Sequence, residues 1–186
     1  MKIFPAPLDG VLLIELDVHG DERGFFIERF NLDRSRAHGL PSAFVQDNHS
    51  RSAPGVLRGL HFQHTPPQSK LVGVTRGRVW DVVVDIRPGS ATIGQSYEVE
   101  LTDMNGKLLW VPAGFAHGFC VLGDTPADML YKVDAPYSPN REGGILWNDP
   151  DLGIDWPIRE PVVSGRDQTM PTFAEHRAAQ AGGGQD

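Results

Sequence analysis

The stretch Val56 to Gly89, VLRGLHFQHTPPQSKLVGVTRGRVWDVVVDIRPG, reads as three strands separated by turns. In Val56 to Gln63, Leu60 and Phe62 occupy alternate positions, the period of a half-buried strand, and His61 and Gln63 take the other face. Pro66-Pro67 breaks the run, Lys70 to Thr75 resumes it, Arg76-Gly77 turns it again, and Arg78 to Ile86 continues to a stop at Pro88-Gly89. In the last piece Asp81 and Asp85 share a face with Val83, while Trp80, Val82, Val84 and Ile86 are expected to fill a core.

The same texture extends outward. Val11 to Leu16, Gly24 to Phe30, Phe44 to Asn48, Ser96 to Leu101, Leu108 to Val111, Ala116 to Val121 and Met129 to Val133 read as further strands, with turns at Asn105-Gly106, Pro112-Ala113-Gly114 and Gly123-Asp124. About ten strands among 21 Gly and 15 Pro predict an all-β sandwich or jelly-roll barrel. Helix is confined to Leu32 to His38 and to Pro171 to Ala179, the latter with Thr172 as its cap. At 186 residues the expectation is one domain spanning 1–186, with a flexible tail from about residue 180.

A formal net charge of -7, with Lys and Arg scattered, argues against nucleic acid as a partner, because that needs a basic face to displace counterions. No apolar run approaches the roughly 20 residues of a membrane span, and Met1 to Pro5 lacks a signal-peptide apolar region. With a single cysteine, Cys120, the reading is a cytoplasmic protein without membrane partners. Cys120, in Phe119-Cys120-Val121-Leu122, reads as a small buried apolar residue.

A small barrel turns every second residue inward, so inward polar residues need a reason. The candidates are His61 with Lys70, His117 within Gly114 to Phe119, the pair Asp81 and Asp85, and Tyr131-Lys132 with Tyr137 beyond. A metal centre calls for converging ligands, commonly two histidines at i and i+2 on one strand. His61 and His64 are three apart and point to opposite faces, and His117 has no second histidine near it in sequence, so no metal is expected. Proton transfer fits better. A neutral imidazole takes a proton near neutral pH, and lysine or a second histidine stabilises an oxyanion, so His61, Lys70, His117 and Tyr131 suit proton removal beside a carbonyl.

Eight segments in order carry a family resemblance: Asp21 to Phe26, Gln46 to Ser50, Leu57 to Gln63, Lys70 to Val72, Asp81 to Arg87, Gly114 to Phe119, Tyr137 to Pro139 and Ile145 to Asp149. Together they resemble the dTDP-4-dehydrorhamnose 3,5-epimerases, over about Val11 to Asp167. The resemblance implies a cupin-type jelly roll, a homodimer with exchanged strands, and no metal or organic cofactor. It implies as substrate a dTDP-linked 4-keto-6-deoxy sugar, inverted at carbons 3 and 5. Carried over by residue, His61 is the base, Asp167 its orienting partner, Lys70 the group at the enolate oxygen and Tyr131 the acid on the opposite face. The nucleotide end is assigned to Arg23, Glu28, Gln46, Asp47, Asn48, Arg58, Glu142 and Arg166, with Tyr137 stacked on thymine. His117 is expected to face the sugar, and Asp81 to hold His117 or Lys70.

Two departures concern preference rather than activity: Gly73 where the family commonly has a larger, often basic residue, and Ser90-Ala91-Thr92-Ile93-Gly94 in place of Ser-Pro-Thr-Phe-Gly. Alternation puts His61 and Arg58 on opposite faces, yet the resemblance gives both to the ligand. That holds only if the strand bulges or begins near Gly59. His64 is left without a role, in the loop. The alternative nearest the double epimerase is a single-site (3- or 5-) epimerase of antibiotic deoxysugar pathways. From other classes come a metal-dependent cupin oxygenase and a non-catalytic sugar-binding jelly roll.

Overall fold

The computed structural model describes residues 1–41 and 43–182. Two hairpins open the chain: β1 (Lys2–Pro5) with β2 (Leu12–Glu15), and β3 (Val18–Asp21) with β4 (Gly24–Ile27). Helix α1 (Leu32–Ala37) is capped by Asn31, whose side-chain oxygen accepts from the N–H groups of Asp33 and Arg34. Next come β5 (Gln46–Ser52), β6 (Val56–Gln63), β7 (Lys70–Arg76), β8 (Arg78–Asp85), β9 (Ser96–Thr102), β10 (Lys107–Val111), β11 (Phe115–Val121) and β12 (Ala127–Val133). The chain continues through β13 (Glu142–Gly144), β14 (Val162–Val163), a 3₁₀ turn at Asp167–Thr169 and helix α2 (Phe173–Gly182).

One sheet has the order β1-β2-β10-β7-β12-β5, and the other β13-β6-β11-β8-β9 with β14 added beside β6. From β5 to β8 consecutive strands alternate between the two sheets, the wrapping of a jelly roll. Between the sheets lie Val72, Val83, Leu101, Leu109, Phe119 and Met129, each contributing about 1.5–3 kcal/mol by leaving water. Both outer faces are covered as well. Val82, Val84 and Ile86 pack outside the second sheet with Ile145 and Phe173, while Leu71, Leu108 and Trp110 lie outside the first with Leu40, Phe30 and Phe44. β8 is therefore buried on both sides, and the faces expected from its alternation are two different interiors, one of them carrying Asp81 and Asp85, rather than one core and a wet surface.

All ten expected strands form, with shifted ends: Gly24 to Phe30 stops at Ile27, and Phe44 to Asn48 becomes Gln46–Ser52. Four short ones, β1, β3, β13 and β14, were not expected. β3 is exposed along its whole length, so no buried face leaves a pattern in its sequence. Thr172 does begin the last helix: its hydroxyl accepts from the Glu175 N–H at 3.2 Å while the Glu175 carboxylate accepts from the Thr172 N–H at 2.7 Å, a reciprocal capping box. That helix runs through Gly182, so Gln180, Ala181 and Gly182 belong to it rather than to a tail. The rest of the expected tail, 183–186, lies outside the described residues.

The two departures find local explanations. A Cβ on Gly73 would lie 2.6 Å from the Arg29 guanidinium and against a Leu108 methyl, so Arg29, reaching over from beyond β4, fills the space a larger residue at 73 would need. Its guanidinium donates to the Val74 carbonyl at 3.3 Å. In the second departure Ser90 and Thr92 both donate to a buried Asp85 oxygen, at 2.6 and 2.7 Å, so Ala91 leaves that anchor intact. Among the described residues no helix is long and apolar enough to cross a membrane.

Candidate active site

The site begins with a glycine. Gly59 has φ +126°, and a Cβ there would sit 2.6 Å from Gly118 Cα, so β6 and β11 approach only because both positions lack side chains. Pairing accordingly slips: His117 faces His61, but Phe119 faces Arg58, three positions of β6 against two of β11. This is the bulge the sequence allowed for, and it turns Arg58 and His61 into one cavity of about 320 Å³. Gln63, expected on the same side, is instead buried under the rim. Its amide donates to the Pro66 and Pro136 carbonyls at 2.9 and 3.1 Å, and its oxygen accepts from the Ser138 N–H at 2.8 Å.

His61 Nε2 lies 2.7 Å from Asp167 Oδ1, and the second Asp167 oxygen accepts from the Gly59 N–H at 3.3 Å. Burial pushes the Asp167 carboxyl up, but His61, the Gly59 N–H and the Ser164 hydroxyl together hold it below the usual carboxylate range. An ionised carboxylate only accepts, so His61 donates from Nε2 and leaves Nδ1 unprotonated. His117 has a similar partner: its Nε2 lies 2.9 and 3.0 Å from the two oxygens of fully buried Asp81. Of the two roles expected for Asp81, the geometry gives it the histidine.

Lys70, at the start of β7, donates from Nζ to the His61 carbonyl at 3.4 Å. Desolvation lowers its pKa to about 8, while Glu142 and Asp81 oppose the shift. Tyr131 enters from β12, which neighbours β7 on the sheet opposite the two histidines, its phenol raised above the ordinary value by burial and partly lowered by Arg58. The cavity thus has imidazole–carboxylate pairs on one sheet and a phenol on the opposite one, with an ammonium beside them.

The rim is tied together. Gln46 accepts from the Tyr137 N–H at 2.9 Å and donates to Asn48 at 2.8 Å. The Tyr137 hydroxyl donates to Glu142 at 3.0 Å, and Arg166 donates to the same Glu142 oxygen. Arg58 donates from Nε to Ser52 Oγ at 2.9 Å. Gln46, Asn48, Arg58, Tyr137, Glu142 and Arg166 all line the cavity.

Three expected residues stand apart from it. Arg23 pairs with Asp21 at the exposed tip of the β3–β4 hairpin, Glu28 lies beside Asn31 and Arg34, and Asp47 points to the other face of its sheet, paired with Lys132 at 2.8 Å. Conversely, Ser50, Gln68, Phe119 and Met129 line the cavity without having been expected there. Ser50 was legible: it shares the period-2 face of Gln46 and Asn48, which also excludes Asp47. His64 sits by the Pro-Pro turn with its ring against Phe62 and His176, outside the cavity. The Cys120 thiol is buried, which pushes its pKa up to about 12. Among the described residues no three His, Cys, Asp or Glu side chains converge as metal ligands.

Residues 5–175 match the family model described as dTDP-4-dehydrorhamnose 3,5-epimerase. The chain is 49% identical over 177 residues to the dTDP-4-dehydrorhamnose 3,5-epimerase of Pseudomonas aeruginosa, covering 94% of this chain and 97% of the relative. The structure of dTDP-6-deoxy-D-glucose-3,5-epimerase from Legionella pneumophila, in complex with dTDP-4-keto-L-rhamnose, superposes with a TM-score of 0.89 at 45% identity, covering 94% of this chain and 96% of that one. The chain is also 40% identical over 181 residues to a dTDP-4-dehydrorhamnose 3-epimerase of Streptomyces niveus, covering 96% of this chain and 87% of the relative.

Proposed function

The chain belongs to the dTDP-4-dehydrorhamnose 3,5-epimerase family, and we propose that it converts dTDP-4-dehydro-6-deoxy-D-glucose to dTDP-4-dehydro-L-rhamnose by inverting carbons 3 and 5. The carrying observation is that the His61–Asp167 pair and Tyr131 reach one cavity from opposite sheets. Both reacting carbons adjoin the carbon 4 ketone, which makes their hydrogens acidic, so the chemistry calls on no metal or organic cofactor. His61 Nδ1 takes the proton from one face, the C–H electron pair moves to the carbon 4 oxygen, and the Lys70 ammonium stabilises the enolate. Tyr131 then delivers a proton to the other face as the enolate collapses. His61 and Tyr131 regain their starting states by exchange with solvent. Without a second face for reprotonation the step would only exchange hydrogen, so the two-sided arrangement is what makes an epimerase.

Arg58, Arg166 and the Gln46–Asn48–Tyr137 rim hold the nucleotide end, where arginine's planar fork suits a diphosphate. Arg23 and Glu28 complete it from a second copy of the chain. The β3–β4 hairpin that carries Arg23 leaves Phe25 and Phe26 57% and 70% exposed, a surface suited to burial in a homodimer with exchanged strands. A cytoplasmic location fits one buried thiol and a nucleotide-sugar substrate.

The Streptomyces niveus relative is a 3-epimerase, so a single-site reaction in the same cavity is the second reading. Turnover in deuterium oxide separates them: label at carbons 3 and 5 supports the double epimerase, label at one carbon the single-site enzyme, and no label defeats catalysis altogether.

A further inference from the structure

The segment between β12 and β13, residues 134–141, brings Tyr137 to the cavity. Its sequence Asp134-Ala135-Pro136-Tyr137-Ser138-Pro139 cannot pair continuously as a strand, because two prolines lack the N–H that a ladder needs. Side-chain amides stand in for a neighbouring strand. Gln68 donates to the Ala135 carbonyl at 2.8 Å, and Gln46 accepts from the Tyr137 N–H at 2.9 Å. Gln63 holds both flanks of Tyr137: its NH₂ group donates to the Pro136 carbonyl at 3.1 Å, and its oxygen accepts from the Ser138 N–H at 2.8 Å. The same NH₂ group donates to the Pro66 carbonyl at 2.9 Å, which ties the segment to the turn after β6.

Gln46 and Gln68 line the cavity and can meet a ligand themselves. Gln63 is 3% exposed and does not line it, so its effect on a ligand passes through the groups it holds. It also faces Glu142 across the β13–β6 ladder, and the Glu142 carboxylate accepts from the Tyr137 hydroxyl at 3.0 Å. One rung of that ladder therefore fixes Tyr137 at two points, the hydroxyl through Glu142 and the backbone through Gln63. Tyr137 itself is 48% exposed, so packing directs the ring little and these bonds direct it more. Resting on the reading above that Tyr137 belongs to the nucleotide end, we propose that Gln63 is a positioning residue that orients the Tyr137 ring for the thymine of the substrate. It takes no part in proton transfer. An amide suits the task where an acid of the same shape does not: two carbonyls call for donors and one N–H for an acceptor, and an ionised carboxylate only accepts.

The test is a double-mutant cycle with dTDP as the probe, titrated calorimetrically into the wild type, Gln63→Met, Tyr137→Ala and the double variant. Tyr137→Ala is expected to weaken dTDP at least about tenfold, the loss of an aromatic–base stack. Gln63→Met should weaken it about fivefold alone and less than about twofold in the Tyr137→Ala background, where no ring is left to orient. In turnover, Gln63→Met should raise KM in proportion, with kcat held within about twofold. Unchanged dTDP binding by Gln63→Met overturns the proposal, and so does an equal loss in both backgrounds, which would mean general loosening. A fall in kcat with dTDP binding intact also overturns it, by placing the effect on the strand of His61. If dTDP does not bind the wild type, or binds Tyr137→Ala equally well, the nucleotide-end reading falls and the role of Gln63 with it. Deuterium uptake by the wild type tests the epimerase chemistry separately. If Gln63→Met fails to fold, Gln63→Glu, which keeps the shape and the acceptor but loses the donors, takes its place with the same expectations.

Discussion

The imidazole pairs on β6 and β11 and the exposed hairpin β3–β4 are built on opposite principles. Each histidine of the cavity already has its carboxylate: His61 with Asp167 at 2.7 Å and His117 with Asp81 at 2.9 Å, the carboxylates 3% and 0% exposed. Arg23 and Glu28, assigned to the same substrate, touch neither the cavity nor each other, and the hairpin tip stands in solvent. The difference teaches that proton-transfer geometry, which tolerates little misplacement, is fixed within one chain by buried bonds. Charge contacts to a diphosphate tolerate more, and in the proposed dimer they fall to an exposed segment of the second copy.

The sharpest break falls on the fixed half. His61→Ala should lower isotope exchange at both carbons about 10²- to 10⁴-fold, the range for loss of a positioned base, without changing oligomeric state. Asp167→Asn should lower kcat while sparing KM, because the ring loses its orientation and charge support. Tyr131→Phe should leave part of the proton loss intact but impair correct reprotonation, visible as exchange outrunning epimerisation. Near-normal turnover by His61→Ala would remove it as the base and make His117 the first suspect.

The hairpin half should respond through binding. Arg23→Ala is expected to raise KM about 10- to 100-fold with kcat little changed, the loss of a charge-assisted contact. Mixed dimers of Arg23→Ala and His61→Ala subunits discriminate further. If the arginine serves the partner's cavity, each mixed dimer holds one cavity that lacks both groups and one intact cavity, and substantial activity returns. If Arg23 serves its own chain's cavity, no intact site forms and activity stays low.

Legibility in the sequence follows the same divide. Strands with one or two buried faces were readable, because burial imposes period 2, and β3, exposed throughout, left no trace. Within the cavity, alternation alone would have separated Arg58 from His61. What joins them is the close approach of Gly59 to Gly118, two glycines far apart in the chain, and no local pattern announces a contact of that kind. Asp167 lies 106 residues from His61 and was reached only through family resemblance. Asp47 shows the opposite: resemblance placed it with Gln46 and Asn48, while strand period puts it on the far face, where Lys132 holds it.

Lys70 gives the comparison a pH axis. Its desolvated ammonium has a pKa of about 8, against 10.5 for an ordinary lysine. The charged form stabilises the enolate, so kcat/KM should hold its plateau below pH 8 and fall about tenfold per unit above it. Lys70→Arg, whose guanidinium stays charged, should retain residual activity without that alkaline limb. Stability moves the other way. Between about pH 8 and 10.5 the unfolded chain binds the proton that the folded chain releases, so Lys70 makes stability rise with pH across that window. A limb that persists in Lys70→Arg would assign it to another group.

The smallest effect is expected outside the cavity, at Gly73. A Cβ there meets the Arg29 guanidinium at 2.6 Å and a Leu108 methyl, on the outer face of the first sheet. Gly73→Ala should therefore cost about 1–3 kcal/mol, an overpacking penalty, and lower Tm by several degrees while leaving kcat unchanged. Arg29 is the long and adaptable partner in that contact. In an Arg29→Ala background the same substitution should cost markedly less, because the space belongs to whichever residue fills it. Additive costs would mean that Leu108 and the backbone, rather than Arg29, set the limit at position 73. Glycine would then be required there by the sheet itself, whatever residue stands at 29.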